Sequence, residues 1–210
     1  ANGIDIDRIP LTAKSSYESG LSMIAVANLA DWHGLDRVVR GLASYVQQEP
    51  ARPVRLDSVG EGPAVPGLRS LTRDLCLKDF VRFHGVRRGA ELDALFADAD
   101  LALSSLGMHR LDLHRSSSLK AREYCARGIP FVLASDDPDF PEGVRFVHRI
   151  PADESPVDVA GLVDFVGRLR DGDSRYSMDM RDYAEKRLTW KAKLEPVIRY
   201  LRTGKHVQAA

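Results

Sequence analysis

A surplus of charge of either sign is the first thing this sequence lacks: 30 Lys and Arg stand against 30 Asp and Glu in 210 residues. A dedicated nucleic-acid binder needs a basic surface that displaces counterions from phosphates, so that class is excluded. No apolar run approaches the 18 residues that would suggest a membrane-spanning helix. Cysteine is scarce: Cys76 and Cys125 cannot form a disulfide framework. Both sit inside apolar helical patterns and are expected to be buried free thiols in a reducing cytoplasm. The phosphate-cradling patterns G-x-G-x-x-G and G-x-x-x-x-G-K-[ST] are missing, which disfavours a dinucleotide dehydrogenase and a P-loop NTPase. No His/Cys cluster has zinc spacing and no Ser-His-acid triad can be assembled, so no metal and no triad chemistry are expected. Repeats, low-complexity tracts and charge blocks are missing too.

What is present reads as a packed globular chain, 44% hydrophobic and 29% charged. Short apolar runs at Met23–Ala27, Val54–Gly60, Val81–Val86, Leu101–Leu103, Phe131–Ala134 and Val144–Val147 predict six strands. Between them lie helical patterns. Leu35, Val38, Val39, Leu42 and Val46 mark the first, and Leu68, Leu71, Leu75 and Cys76 the second. Leu92, Leu95, Phe96 and Ala99 mark a third, and a fourth runs from near Ser117 to Arg127 with Gly128 as its C-terminal glycine. After Pro156 only helices follow: one through Val159–Leu169, one over about 174–188, and one from Trp190 that Pro196 should kink or restart. Strands alternating with helices predict a Rossmann-like, doubly wound α/β fold: a parallel sheet of about six strands with a helical C-terminal extension. The expected division is a lead-in and linker over 1–20, a ligand-binding domain over 21–172, and C-terminal helices and tail over 173–210. The start at Ala1-Asn2-Gly3, without initiator Met or signal-peptide pattern, suggests a segment cut from a longer protein.

In such sheets ligands bind beyond the carboxyl ends of the strands, where strand order reverses. Four loops qualify: 28–34, 60–63, 84–87 and 104–118. The last gathers Arg110, Arg115, Ser116, Ser117, Ser118 and Lys120 ahead of a helix, a place that favours an anion by about 0.3–2 kcal/mol. The serines could cap the helix or bond a phosphate oxygen. Two roles are open to Glu123: hydrogen bonds to a sugar or ribose diol, or an ion pair with Lys120 one turn back. His33 is a candidate phosphate donor when protonated, or a solvent-facing loop residue. His84 reads as a packed strand histidine. Asp137-Pro138-Asp139 formally matches a D-x-D metal pattern and reads as turn chemistry.

Several segments together carry a resemblance: Val26-Ala27-Asn28-Leu29 with Trp32-His33-Gly34-Leu35-Asp36, Val59-Gly60-Glu61-Gly62-Pro63, Val81-Arg82-Phe83-His84-Gly85, and Ser118 through Pro130. In this order and spacing they resemble the donor-binding, C-terminal half of a GT-B glycosyltransferase, more narrowly glycosyltransferase family 4 (glycosyl transferases group 1). Asn2-Gly3-Ile4-Asp5 is similar to the segment that follows that family's N-terminal domain. The resemblance covers residues 2 to about 203. It implies a retaining transferase that moves a sugar from a nucleoside diphosphate donor, UDP-sugar favoured and GDP-sugar possible, to an acceptor hydroxyl in polysaccharide or glycoconjugate assembly. It places the second Glu of the family's Glu-x7-Glu motif on Glu123, at the ribose. The first Glu falls on Arg115, a reversal of charge. The diphosphate-holding Arg and Lys of the first loop fall on Asn28 and His33. Gly60, Gly62, Gly85 and Val86 would hold the base, Gly34 the first loop, and Ser117, Ser118 and Leu119 the phosphates. Glu123, Lys120 and Arg115 would stand at the reacting groups, with Arg110, Arg115 or Lys120 supplying the charge that Asn28 and His33 do not. The resemblance further implies an acceptor-binding N-terminal domain as partner, a cytoplasmic setting and, for the full enzyme, peripheral association with the inner membrane surface. Two alternatives remain: a non-catalytic nucleotide-binding or interaction module, and half of a GT-B epimerase or inverting transferase.

Overall fold

A computed structural model describes residues 2–12, 20–172 and 175–203. Six strands, β1 Leu21–Val26, β2 Val54–Val59, β3 Val81–Gly85, β4 Leu101–Leu103, β5 Phe131–Leu133 and β6 Val147–Arg149, form one sheet in the order 3-2-1-4-5-6. All pairings are parallel. Seven α-helices accompany them among the described residues: α1 Leu35–Val46, α2 Val65–Asp74, α3 Gly89–Ala97, α4 Leu119–Arg127, α5 Val159–Gly172, α6 Tyr176–Arg187 and α7 Trp190–Thr203. Strand order reverses between β1 and β4, so the crevice of a doubly wound sheet opens beyond their carboxyl ends.

The central strands are buried on both faces. Every residue of β4 and β5 is buried, as are Leu21 to Ala25 of β1. Against them α1 buries Leu35, Val38, Val39 and Leu42, each contributing about 1.5–3 kcal/mol. Helix α4 buries Ala121, Tyr124, Cys125 and Ala126 and ends at Gly128 with the expected left-handed cap. Helix α6 packs on α4, where the Ser177 hydroxyl donates to the Gly128 carbonyl at 2.8 Å.

Three expectations change. Cys76 is exposed, not buried: α2 stops at Asp74, and Cys76 lies in a turn with φ 57° that no helix could contain. Burial does hold for Cys125, whose thiol it pushes up beyond its ordinary range. The sixth strand begins at Val147 rather than Val144, because Val147 N closes a turn on Val144 O at 3.0 Å and only then can pair with β5. Helix α7 continues through Pro196 to Thr203. No residue of α7 is buried, so the core does not dictate its path.

Two ties close the fold. Ile4 pairs with the α6–α7 junction through Ile4 N to Leu188 O (2.9 Å) and Trp190 N to Ile4 O (3.3 Å). Asn2 reaches the start of α4: its N–H donates to Ser117 Oγ (3.3 Å), its Nδ2 to Ser117 O (3.0 Å), and Arg122 Nε donates to its carbonyl (3.2 Å). Arg122 is fully buried and donates to both Asp137 oxygens at 2.9 and 3.0 Å and to Asp139. Asp139 also pairs with Lys193. The two carboxylates of the Asp-Pro-Asp segment are therefore committed to holding a buried guanidinium.

Candidate nucleotide site

The crevice is built from backbone first. The loop after β1 is tied to the loop after β2 by Leu29 N to Glu61 O (2.6 Å) and Ala64 N to Leu29 O (3.0 Å). Gly60 permits this approach: its φ is 119°, and a Cβ there would stand 1.9 Å from the Ala27 carbonyl oxygen. Residues Asp31–His33 then form a single 3-10 turn that Gly34, at φ 65°, redirects into α1. A Cβ on Gly34 would stand 2.8 Å from Gly107 N, so this turn lies directly on the loop after β4. Leu106 N to His33 O (3.0 Å) and Gly107 N to Trp32 O (3.1 Å) fix it there. His33 is thus held over the reversal point from both sides of the sheet.

Facing it is the open end of α4. Ser118 occupies the N-cap position without a side-chain cap bond, and the Ser117 hydroxyl is turned to Asn2 instead. The first-turn N–H groups keep their donor capacity. Lys120, the second helical residue, is half-buried and has no hydrogen-bond or ion-pair partner among the described residues. Burial lowers its ammonium to about 8. The two side chains sense each other: burial first, then the Lys120 charge, pushes His33 down to about 4. His33 Nδ1 lies 3.0 Å from Ala30 N and 3.2 Å from Ala30 O, so this side of the ring is held by its own turn's backbone. His33 is therefore a neutral imidazole at pH 7 in this structure, where a protonated phosphate donor or a solvent-facing loop residue was expected.

Glu123 does not pair with Lys120. Its Oε1 accepts from Arg127 Nε at 3.0 Å. Arg127 in turn bridges Asp93 at 2.8 Å and lies 4.1 Å over the Phe96 ring, so the Glu123 carboxylate is oriented from behind. Its other oxygen has no protein partner among the described residues. Arg115 is exposed, and its Nε sits 3.3 Å from Asp136. Ser116 N to Asp136 O and Asp136 N to His114 O, both 2.8 Å, hold that stretch in place.

Arg110 is not a free cation. It makes five hydrogen bonds, to Asp31 O (2.7 Å), Asp36 Oδ1 and Oδ2 (2.9 and 2.8 Å) and Glu154 Oε1 and Oε2 (2.9 and 2.5 Å). A guanidinium has five N–H donors, so none remains for a phosphate. Of the three basic side chains expected to supply charge, Lys120 alone is unpaired.

Beside the crevice, Val26, Ala27, Asn28, Val59, Gly60 and Val86 line a cleft of about 430 Å³ at the carboxyl ends of β1 to β3. Asn28 and Val86 are exposed. Gly85 and Gly62 shape its walls through Gly60 N to Gly85 O (2.7 Å) and the contact of Gly62 with Leu29. Glu61 and Arg87 complete its lining, and its volume suits a flat ring with a few polar edges. His84 lies deeper on β3, with Nε2 2.7 Å from Asp57 Oδ1, outside this lining.

Sequence reading missed Arg37, Asp36 and Glu154. Arg37 is buried and donates to Leu106 O (2.5 Å), Pro151 O (2.9 Å) and Ser155 O (2.8 Å), joining the loop after β4 to the loop after β6. An Arg on the apolar face of a helical pattern was the one available signal.

No family model matches the sequence, and no curated protein matches it. Solved structures do. HepE of Anabaena in complex with UDP superposes with a TM-score of 0.66 at 19% identity over 88% of this chain and 49% of its own. TarM gives 0.68 at 15% over 97% of this chain and 38% of its own. Sucrose-phosphate synthase of Thermosynechococcus elongatus gives 0.66 at 15% over 97% and 52%. This chain thus spans about half the length of these structures or less. What the superpositions establish is the fold: six parallel strands with flanking helices, arranged as a Rossmann-like half-domain of the GT-B kind.

Proposed function

We propose that this chain is the donor-binding half of a glycosyltransferase that takes a nucleoside diphosphate-sugar, UDP-sugar by preference and GDP-sugar as the alternative. The observation that carries this reading is the half-buried, unpaired Lys120 at the uncapped start of α4, facing neutral His33 across the reversal point. An ammonium held in a partly dry site without a counter-charge is unfavourable by itself. A diphosphate there would supply the missing charge, and the α4 N–H groups would receive its oxygens. HepE, of the same fold, is solved with UDP and with UDP-glucose.

In the reaction proposed, the bond between the sugar's anomeric carbon and the diphosphate oxygen breaks, a bond from that carbon to the acceptor hydroxyl oxygen forms, and the hydroxyl proton passes to the departing diphosphate. The leaving diphosphate gains negative charge where Lys120 and the α4 N–H groups stand. His33 Nε2–H donates to a diphosphate oxygen without changing charge. Asn28, Ser118 and Leu119 flank the diphosphate, Glu123 accepts from the ribose hydroxyls, and the base lies in the cleft at Gly60 and Val86. Following the family resemblance, we propose retention at the anomeric carbon, a role in polysaccharide or glycoconjugate assembly, and an acceptor-binding domain as partner. No metal enters this scheme, because Lys120 and the helix end take the neutralising part.

A second reading, a nucleotide-binding module without catalysis, is favoured by one observation: Arg115, at the place of the first motif Glu, turns outward to Asp136. Calorimetric titration with UDP, GDP and ADP tests both. Saturable binding of one diphosphate supports a donor site and names its base; no binding of any of the three overturns it. Glycosyl transfer by the chain joined to an acceptor-binding domain then separates the transferase from the module.

A further inference from the structure

We infer that Arg110 and its carboxylate partner Glu154 position the Asp31–His33 turn for anion binding without themselves touching the anion. The inference rests on the donor-site reading above and names residues that reading does not use.

Arg110 draws together three parts of the chain that the sheet does not connect. One is the turn itself, through Asp31 O; another is the first turn of α1, through Asp36; the third is the loop between β6 and α5, through Glu154. Glu154 is held on its other side by His109, whose Nε2 lies 2.7 Å from Oε1. Hydrogen bonds from Arg110 and then His109 keep this carboxylate charged down to about 2. The loop carrying Glu154 is anchored independently by Arg37, which also holds Leu106 O. Leu106 is the residue whose N–H bonds His33 O. The turn is therefore gripped on one side by the Leu106 and Gly107 N–H groups and on the other by Arg110. Both grips trace back to the loop of residues 151–155.

Positioning can be separated from direct electrostatics by sign. Glu154 and Asp36 are negative and near the crevice. If charge alone mattered, removing either would leave the diphosphate site more positive and binding unchanged or tighter. If they act by holding the turn, removing either weakens anion binding although a repulsive charge has gone. Placement errors well below 1 Å are enough, since binding geometry must hold within about 0.5 Å.

The experiment is UDP titration of the whole chain as wild type, Glu154→Gln and Asp36→Asn. Trp32 emission is recorded in parallel in a Trp190→Phe background, where the indole of the turn is the only one left. The expected result is a dissociation constant raised about fivefold or more in each variant. A shift in Trp32 emission should accompany it, with melting temperature within about 2 °C because Glu154 is exposed. Equal or tighter UDP binding by Glu154→Gln overturns the inference. If wild type binds none of UDP, GDP and ADP, the donor-site reading falls; the clamp is then judged on Trp32 emission, and an unshifted spectrum overturns it.

Discussion

Lys120 is the residue on which the proposed chemistry turns, and it carries a cost to the fold. Burial lowers the folded ammonium to about 8 from its ordinary 10.5. Between those values the unfolded chain binds more protons than the folded one, so stability rises with pH across that window and is least below it. Lys120→Met, which keeps the stem and removes the charge, should leave the melting temperature at pH 7 equal or higher. The same change should weaken UDP binding about tenfold or more, because a charge-assisted hydrogen bond contributes about 1.5–3 kcal/mol. Paired thermal melts and titrations check both. Wild-type affinity should fall between pH 7 and 9 as Lys120 loses its proton, and the Met variant should lose that fall. His33, pushed down to about 4, should show a flat imidazole chemical shift from pH 5.5 to 8 by NMR. The helix start at Ser116-Ser117-Ser118-Leu119-Lys120 was legible because capping chemistry is local to neighbouring residues. The fate of Arg110 was not: Glu154 and Asp36 lie 44 and 74 residues away, and nothing in a linear reading pairs them.

Among the elements, α4 is the most constrained, since it carries the candidate site at one end and a buried ion cluster along its inner side. Arg122 has no exposure and two carboxylates for partners. Removing one of a buried pair strands the other's charge, at a cost of about 3–5 kcal/mol. Asp137→Ala should therefore lower unfolding free energy by that amount in urea titration, far more than a surface substitution. The acid limb carries the same cluster. Burial works to raise Asp139, but bonds from Lys193 and Arg122 outweigh it and hold it below the ordinary carboxylate range. Its contribution is present above the unfolded value and is lost as pH falls through the folded one. Helix α7 is the opposite case. Leu201 is 76% exposed, and Leu201→Glu should change stability by less than about 0.5 kcal/mol, read by the same titration. Strands and helices with a buried face were legible to within about three residues, because periodicity records burial. The start of β6 was misplaced, because Val144 and Phe146 are apolar for a turn's packing and not for a strand's. Cys76 followed a helical spacing past the point where the chain had already turned.

At the scale of the molecule, the parallel order 3-2-1-4-5-6 concentrates every candidate group at one rim, and that rim was foreseeable from alternation alone. The chain spans about half of the solved structures it superposes on, which sets an expectation for its isolated behaviour. A UDP titration should saturate, while incubation with UDP-glucose and acceptor sugars should release UDP no faster than in buffer, followed by coupled assay. Transfer by the isolated chain would overturn the view that the acceptor's hydroxyl is presented by another domain.

The tie at Asn2 gives this arrangement a mechanical side. Residue 2 grips Ser117 twice and receives Arg122, so it is fastened to the first turn of α4 and not to the sheet. A displacement of Asn2 would therefore reach first the helix start where the proposed diphosphate would rest, with Lys120 three residues beyond Ser117.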